Sequence, residues 1–158
     1  MRIVRSLVVV AILAGCAGTK APPTVAVAAL DGNAEVAALA TVERWRQAME
    51  VRSLDGLAGV YANDRRLVVV DQGQRQNGWS IVEPALRDML ARVREVHLKL
   101  SELTAQPYGT SMLVHGAMAR EISDGATTVT EAGILTLILE RDSGAWRIVA
   151  QHFSYRSR

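Results

Sequence analysis

The sequence predicts an α+β domain, about three N-terminal helices followed by an antiparallel sheet, and three observations lead there. Apolar residues recur at three- and four-residue steps through the first half, up to about Val93. From Glu95 onward the period becomes two, and short turn signals separate long strands. Helices first and strands afterwards is an α+β order, and 158 residues that are 49% apolar and 22% charged suffice for one core plus a tail.

Asn33 or Asp31 can cap a first helix running to about Arg52, with Val36, Leu39, Val42, Trp45 and Met49 as its apolar stripe. Ser53 caps a short second helix in SLDGLAGVYAND, with Leu54, Leu57, Val60 and Tyr61 on its buried side. A brief strand at 66–71 and a Gly/Gln/Asn-rich loop follow. Ser80 and Glu83 have capping-box spacing for a third helix, whose stripe is Ile81, Ala85, Leu86, Met89, Leu90 and Val93. Val96, Leu98 and Leu100 then alternate with His97, Lys99 and Ser101 in a strand. Further strands are expected at 111–122, from the Ser123-Asp124-Gly125 turn to Glu140, and at 145–155, with a bulge at Gly133.

The first segment, MRIVRSLVVVAILAGC, has Arg2 and Arg5 ahead of an apolar run at 7–13. That run is about half the ~20 residues a membrane-spanning helix needs, so it reads as a signal peptide over 1–15. It ends in Leu13-Ala14-Gly15-Cys16, and Cys16 is the only cysteine. This resembles the lipobox of bacterial lipoproteins, whose cysteine is acylated and becomes the mature N-terminus. The alternative is an ordinary secretory signal with an incidental cysteine. Ala17 stands where inner-membrane lipoproteins often carry Asp, so the resemblance implies a lipid anchor at Cys16 on the periplasmic side of the outer membrane. Residues 16–32, with paired prolines and little charge, then read as the acylated tether, and 33–158 as the domain.

Without Arg2 and Arg5 the chain carries 16 basic and 16 acidic side chains. A neutral surface with only seven aromatics suits neither a phosphate backbone nor base stacking, so nucleic acid is not an expected partner. No HxH, CxxC or acidic cluster has metal-ligand spacing, and no GxSxG or glycine-rich phosphate loop occurs; neither metal nor cofactor is expected.

Three stretches, WRQAMEVRSLDGLAGVYANDRRLVV, GWSIVEPALRDML and ILTLILERDSGAWRIVAQHFS, resemble the NTF2-like superfamily in its SnoaL-like and DUF4440-type branch. They span roughly residues 35–155. The resemblance implies a strongly curved sheet wrapped around helices as a cone with a pocket at its open end. It implies no single activity, because relatives include isomerases, a dehydratase, an epoxide hydrolase and binding modules without chemistry. Aligned without gaps, the isomerase oxyanion tyrosine falls on Trp45, the general base on Val69, and the second oxyanion acid near Leu135 or Thr136. Val69 cannot move a proton, so steroid isomerisation is disfavoured. The dehydratase branch needs paired histidines with an acid, and the epoxide hydrolase branch two carboxylates around an arginine.

Asp71, two residues past Val69, should share its face and is the best replacement base; a strand-end aspartate meeting solvent is the plainer reading. His97, His115 and His152 lie on three different predicted strands. Arg120 and Glu131 could pair across a hairpin, or Arg120 could face the pocket and suit a carboxylate-bearing ligand. On the last strand, alternation puts Trp146, Ile148, Ala150, His152 and Ser154 on the expected concave face and Arg147, Val149, Gln151 and Phe153 on the other. The expected pocket is therefore Trp45, Val69, Asp71, Ile148, His152 and Ser154. Ile134, Thr136 and Ile138 alternate with Leu135, Leu137 and Leu139, so the outer sheet face is also apolar and needs cover. A homodimer through that face is expected, the alternative being cover from 25–30. The function expected is a non-catalytic module for a small apolar or amphipathic ligand or for assembly. The alternatives are an isomerase, lyase or hydrolase using Asp71 and His152, and a purely structural module.

Overall fold

The computed structural model describes residues 32–71 and 73–157, so the expected signal peptide, Cys16 and the expected tether as far as residue 31 lie outside the described residues. Helices α1 (Gly32–Glu50), α2 (Leu54–Ala58) and α3 (Trp79–Arg92) accompany six strands. These are β1 (Val68–Asp71), β2 (Gln74–Asn77), β3 (Glu95–Tyr108), β4 (Ser111–Ser123), β5 (Thr128–Asp142) and β6 (Ala145–Ser157). They form one sheet in the order β2-β1-β6-β5-β4-β3. β1 runs parallel to β6 and every other pairing is antiparallel, so the sheet is mixed rather than purely antiparallel. Among the described residues no helix is long and apolar enough to cross a membrane.

The inner stripe of α1 is Ala34, Ala38, Thr41, Val42, Trp45, Ala48 and Met49, whereas Val36 is exposed. Small residues let the helix lie close inside the sheet, and Val36 falls on the opposite side. Ser53 caps α2 by accepting from the Gly56 N–H at 2.9 Å. A side chain at Gly56 would come within 2.9 Å of Ala48 Cβ, so this glycine lets α2 press onto α1. The Ser80–Glu83 capping box does not form. α3 begins earlier, at Trp79, where Gly78 (φ 82) takes a backbone conformation suited to glycine. Its amide and that of Trp79 bond the Leu67 and Asp64 carbonyls. Val82 and Leu90 point inward and Ile81 outward. The loop expected after β1 contains β2, a strand of polar residues with no period-two apolar signal.

Two register shifts bend the sheet. Between Ser101 and Thr104 two residues of β3 face only Gly116 on β4, and a Cβ on Gly116 would sit 2.8 Å from the Ser101 carbonyl oxygen. On β6, Val149 is the extra residue, because Leu139 pairs with Ile148 but Ile138 pairs with Ala150. Gly133, expected as a bulge, is instead paired in register with Met118 and Tyr155. A Cβ there would fall 1.9 Å from the Ser154 carbonyl oxygen, so the glycine allows a close approach of two backbones.

The Val149 insertion decides what faces the cone. Side chains alternate along a strand, so one inserted residue reverses the parity beyond it. Trp146 and Ile148 point inward before the bulge; Gln151 and Phe153 point inward after it, leaving His152 and Ser154 exposed. The core gathers Leu135, Leu137, Leu139, Met112 and Ile148 from the sheet against Val42, Trp45, Leu57 and Leu67.

Candidate functional site

Between the concave sheet and the helices lies a cavity of about 470 Å³. Met49, Leu86, Met89, Val96, Leu98 and Met118 give it apolar walls from α1, α3, β3 and β4. Its polar end is built by strands: Asp71 ends β1, Arg120 projects from β4, and Gln151 lies on β6 beyond the bulge.

Arg120 joins these strands. Its Nη1 and Nη2 donate to the two carboxylate oxygens of Asp71 at 2.9 and 3.2 Å, and its Nε donates to Glu131. Glu131 faces Arg120 directly across β4 and β5 and is 3% exposed, while Arg120 is 9% exposed. The guanidinium carbon lies 4.9 Å from the Phe153 ring centre and 5.2 Å from that of Tyr155, and the two rings stack 4.9 Å apart. Burial alone would lower the Arg120 pKa, but the bonds to Asp71 and Glu131 outweigh it and hold the group above its ordinary value. Burial, followed by the nearby Glu131 and Asp71 charges, pushes the Tyr155 phenol up.

A second polar line crosses the wall. Trp45 Nε1 donates to the Tyr61 hydroxyl at 2.7 Å, and Tyr61 donates to Gln151 Oε1 at 2.5 Å. Burial pushes the Tyr61 phenol far above its ordinary range, so it stays a neutral donor.

Of the residues expected in the pocket, Trp45, Val69 and Asp71 line the cavity. Ile148 is fully buried in the core behind it, its backbone bonded to Val60 and Ala62. His152 and Ser154 do not face the cone. They border a separate hollow with Gly73, Phe153 and Tyr155, and their own side chains are exposed because the Val149 bulge reversed their parity. Asp71 and His152 therefore do not share a cavity. His97 is exposed, and His115 sits on the outward positions of β4 between the inward Val114 and Gly116. Arg120 both pairs with Glu131 and faces the pocket, but its donors are already taken by carboxylates, so it is not a free site for a carboxylate ligand. Among the described residues no three His, Cys, Asp or Glu side chains are grouped to hold a metal ion. Sequence reasoning missed Gln151, Tyr61 and the Asp71–Arg120–Glu131 cluster as polar groups of one site. Only the facing of Arg120 and Glu131 across a hairpin hinted at it.

A family model, the SnoaL-like domain, matches residues 38–157. No curated protein matches the sequence. By structure the chain is similar to a candidate dehydratase of the NTF2-like family from Streptomyces avermitilis, with TM-score 0.70 and 15% identity over 76% of this chain and 94% of that one. It is also similar to an NTF2-like protein of unknown function from Pseudomonas putida KT2440, with TM-score 0.65 and 23% identity over 77% and 86%. An NTF2-like superfamily protein from Salmonella enterica serovar Typhimurium gives TM-score 0.69 and 14% identity over 79% and 91%. At these identities the likeness is one of fold.

Proposed function

The chain belongs to the SnoaL-like domain family, and from that premise we propose that it is a small-molecule-binding domain whose ligand lies in the cone with its polar end at Asp71. The observation that supports this is a cavity of about 470 Å³ with apolar walls and one convergent polar end, the form of a small-ligand site. In this reading Cys16 carries a lipid anchor that holds the domain on the periplasmic side of the outer membrane, and two copies associate through the outer sheet face. The anchor rests on MRIVRSLVVVAILAGC alone, and the association on the apolar residues of β5. Native mass spectrometry of the full chain, purified from its own host, tests it. A co-purified small molecule lost on Met118→Trp, which fills the cavity, is the expected result. A chain that is empty at every extraction condition overturns the ligand reading.

One observation favours a second reading. Asp71 is the carboxylate of the cluster that lines the cavity, and Arg120 holds both its oxygens in a fixed plane. That is how a general base is oriented, and dehydration or isomerisation needs one base above all. A two-carboxylate hydrolysis is less well served, because Glu131 is buried behind Arg120 and is not among the residues lining the cavity. In this second reading the co-purified molecule is turned over by the native chain and not by Asp71→Asn.

A further inference from the structure

Gln151 is 8% exposed, lines the cavity, and uses its side-chain oxygen to accept the Tyr61 proton. The sense of this chain of bonds is fixed at its far end. An indole N–H can only donate, so the Tyr61 oxygen accepts from Trp45 and the single phenol proton goes to Gln151. Gln151 must then turn its carbonyl oxygen to Tyr61 and its NH₂ group the other way. Reversing the amide would put Tyr61 between two donors and leave its own buried proton without an acceptor. Among the described residues nothing accepts from the Gln151 NH₂ group, so two donors stand open in the wall of a largely apolar cavity.

The acceptor of the site lies close by. Val69 pairs with Gln151 across β1 and β6, and Asp71 is two residues further on the same face. Strand spacing and rise put the Asp71 and Gln151 Cα atoms about 8 Å apart. Arg120, the cation of this end, has its three bonding nitrogens on Asp71 and Glu131. One guanidinium between two carboxyl groups has no positive charge to spare, so an anionic group gains nothing at this end and meets Asp71; the other charged lining residues, Asp88 and Arg92 on α3, offset each other and leave the cavity without net positive charge.

We infer that the polar end of the cone selects a neutral ligand by a carbonyl or hydroxyl oxygen that accepts from Gln151 Nε2, and that Trp45 and Tyr61 are positioning residues that hold the amide in this sense. The inference rests on the reading of the cone as a ligand site. The test is calorimetric titration of the full chain with three probes of one shape: 2-acetylnaphthalene, 2-ethylnaphthalene and 2-naphthoate. The ketone binds roughly tenfold tighter than the hydrocarbon, the return on one hydrogen bond made to an otherwise open donor, and the carboxylate binds weakest. In Gln151→Leu the hydrocarbon still binds and the ketone's advantage disappears. Should Gln151→Leu not fold, Tyr61→Phe takes its place: the amide is released to turn, and the advantage falls to about threefold or less. Equal binding of ketone and hydrocarbon by the native chain, or an advantage that survives both substitutions, overturns the inference and leaves the cone as a ligand site. Failure of all three probes to bind overturns both.

Discussion

Substituting Arg120 by Met leaves two carboxyl groups facing each other, one of them on the buried Glu131, and removes the cation that stacks on Phe153 and Tyr155. Breaking a buried pair from one side costs about 3–5 kcal/mol, and urea denaturation of Arg120→Met should show a loss of that size. Adding Glu131→Leu to it removes one of the two facing carboxyl groups, so the double variant should regain most of the loss; a double variant as weak as the single one would show that the ion pair is not what holds these strands. The residues of this cluster were only partly legible. That Arg120 and Glu131 oppose each other follows from hairpin register. Their burial does not, because Asp71 reaches Arg120 from a strand 49 positions away, and a sequence read locally cannot see that bond. Tyr61 was legible as buried, yet nothing near it in the chain announces Trp45 and Gln151 as its partners.

Among the elements, β3 is an edge strand of the sheet, and α1 covers part of its open side. Glu50 accepts the Leu98 N–H at 3.0 Å and is held by Arg46 at 2.5 Å, while Arg52 Nη1 donates to the Val93 carbonyl at 2.8 Å. The Leu98 amide, more than Arg46, keeps the Glu50 carboxyl below its ordinary value of 4.5. A carboxyl depressed by folding stabilises the fold fully above that value and progressively less as the pH falls through the folded pKa. Glu50→Gln should therefore flatten the acid limb of stability against pH in denaturation series stepped down through 4.5, at a cost of about 1 kcal/mol near neutrality. An acid limb unchanged in slope would remove Glu50 from the account. The element pattern itself was largely legible, because a change of period from helical to two survives any error at an element's end. β2 was not, since four polar residues on an edge carry no burial signal. Nor was the start of α3, which backbone bonds to Asp64 and Leu67 set rather than a side-chain cap.

For the whole molecule, the outer sheet face leaves Ile134 53% and Ile138 39% exposed on β5. It is narrower than the alternation of β6 suggested, because Phe153 is buried inside and Val149 is covered. If two copies meet there, as proposed, light scattering after gel filtration should give a dimer for the native chain and a monomer for Ile134→Lys/Ile138→Lys, with the cavity unaffected; a monomeric native chain refutes it. Fold class was legible at this scale and the chemistry of the cone was not, and Val149 is the reason. β6 holds two possible inner faces in one sequence, an amide with a phenyl ring or an imidazole with a hydroxyl, and one inserted residue chooses between them. The pairing of this one residue thus acts on the pocket as strongly as residue identity does. A chain in which Val149 paired regularly with β5 would exchange the whole polar equipment of the last strand at one register step and without any substitution, whereas loss of Val149 itself would only straighten the strand and keep Gln151 and Phe153 inside.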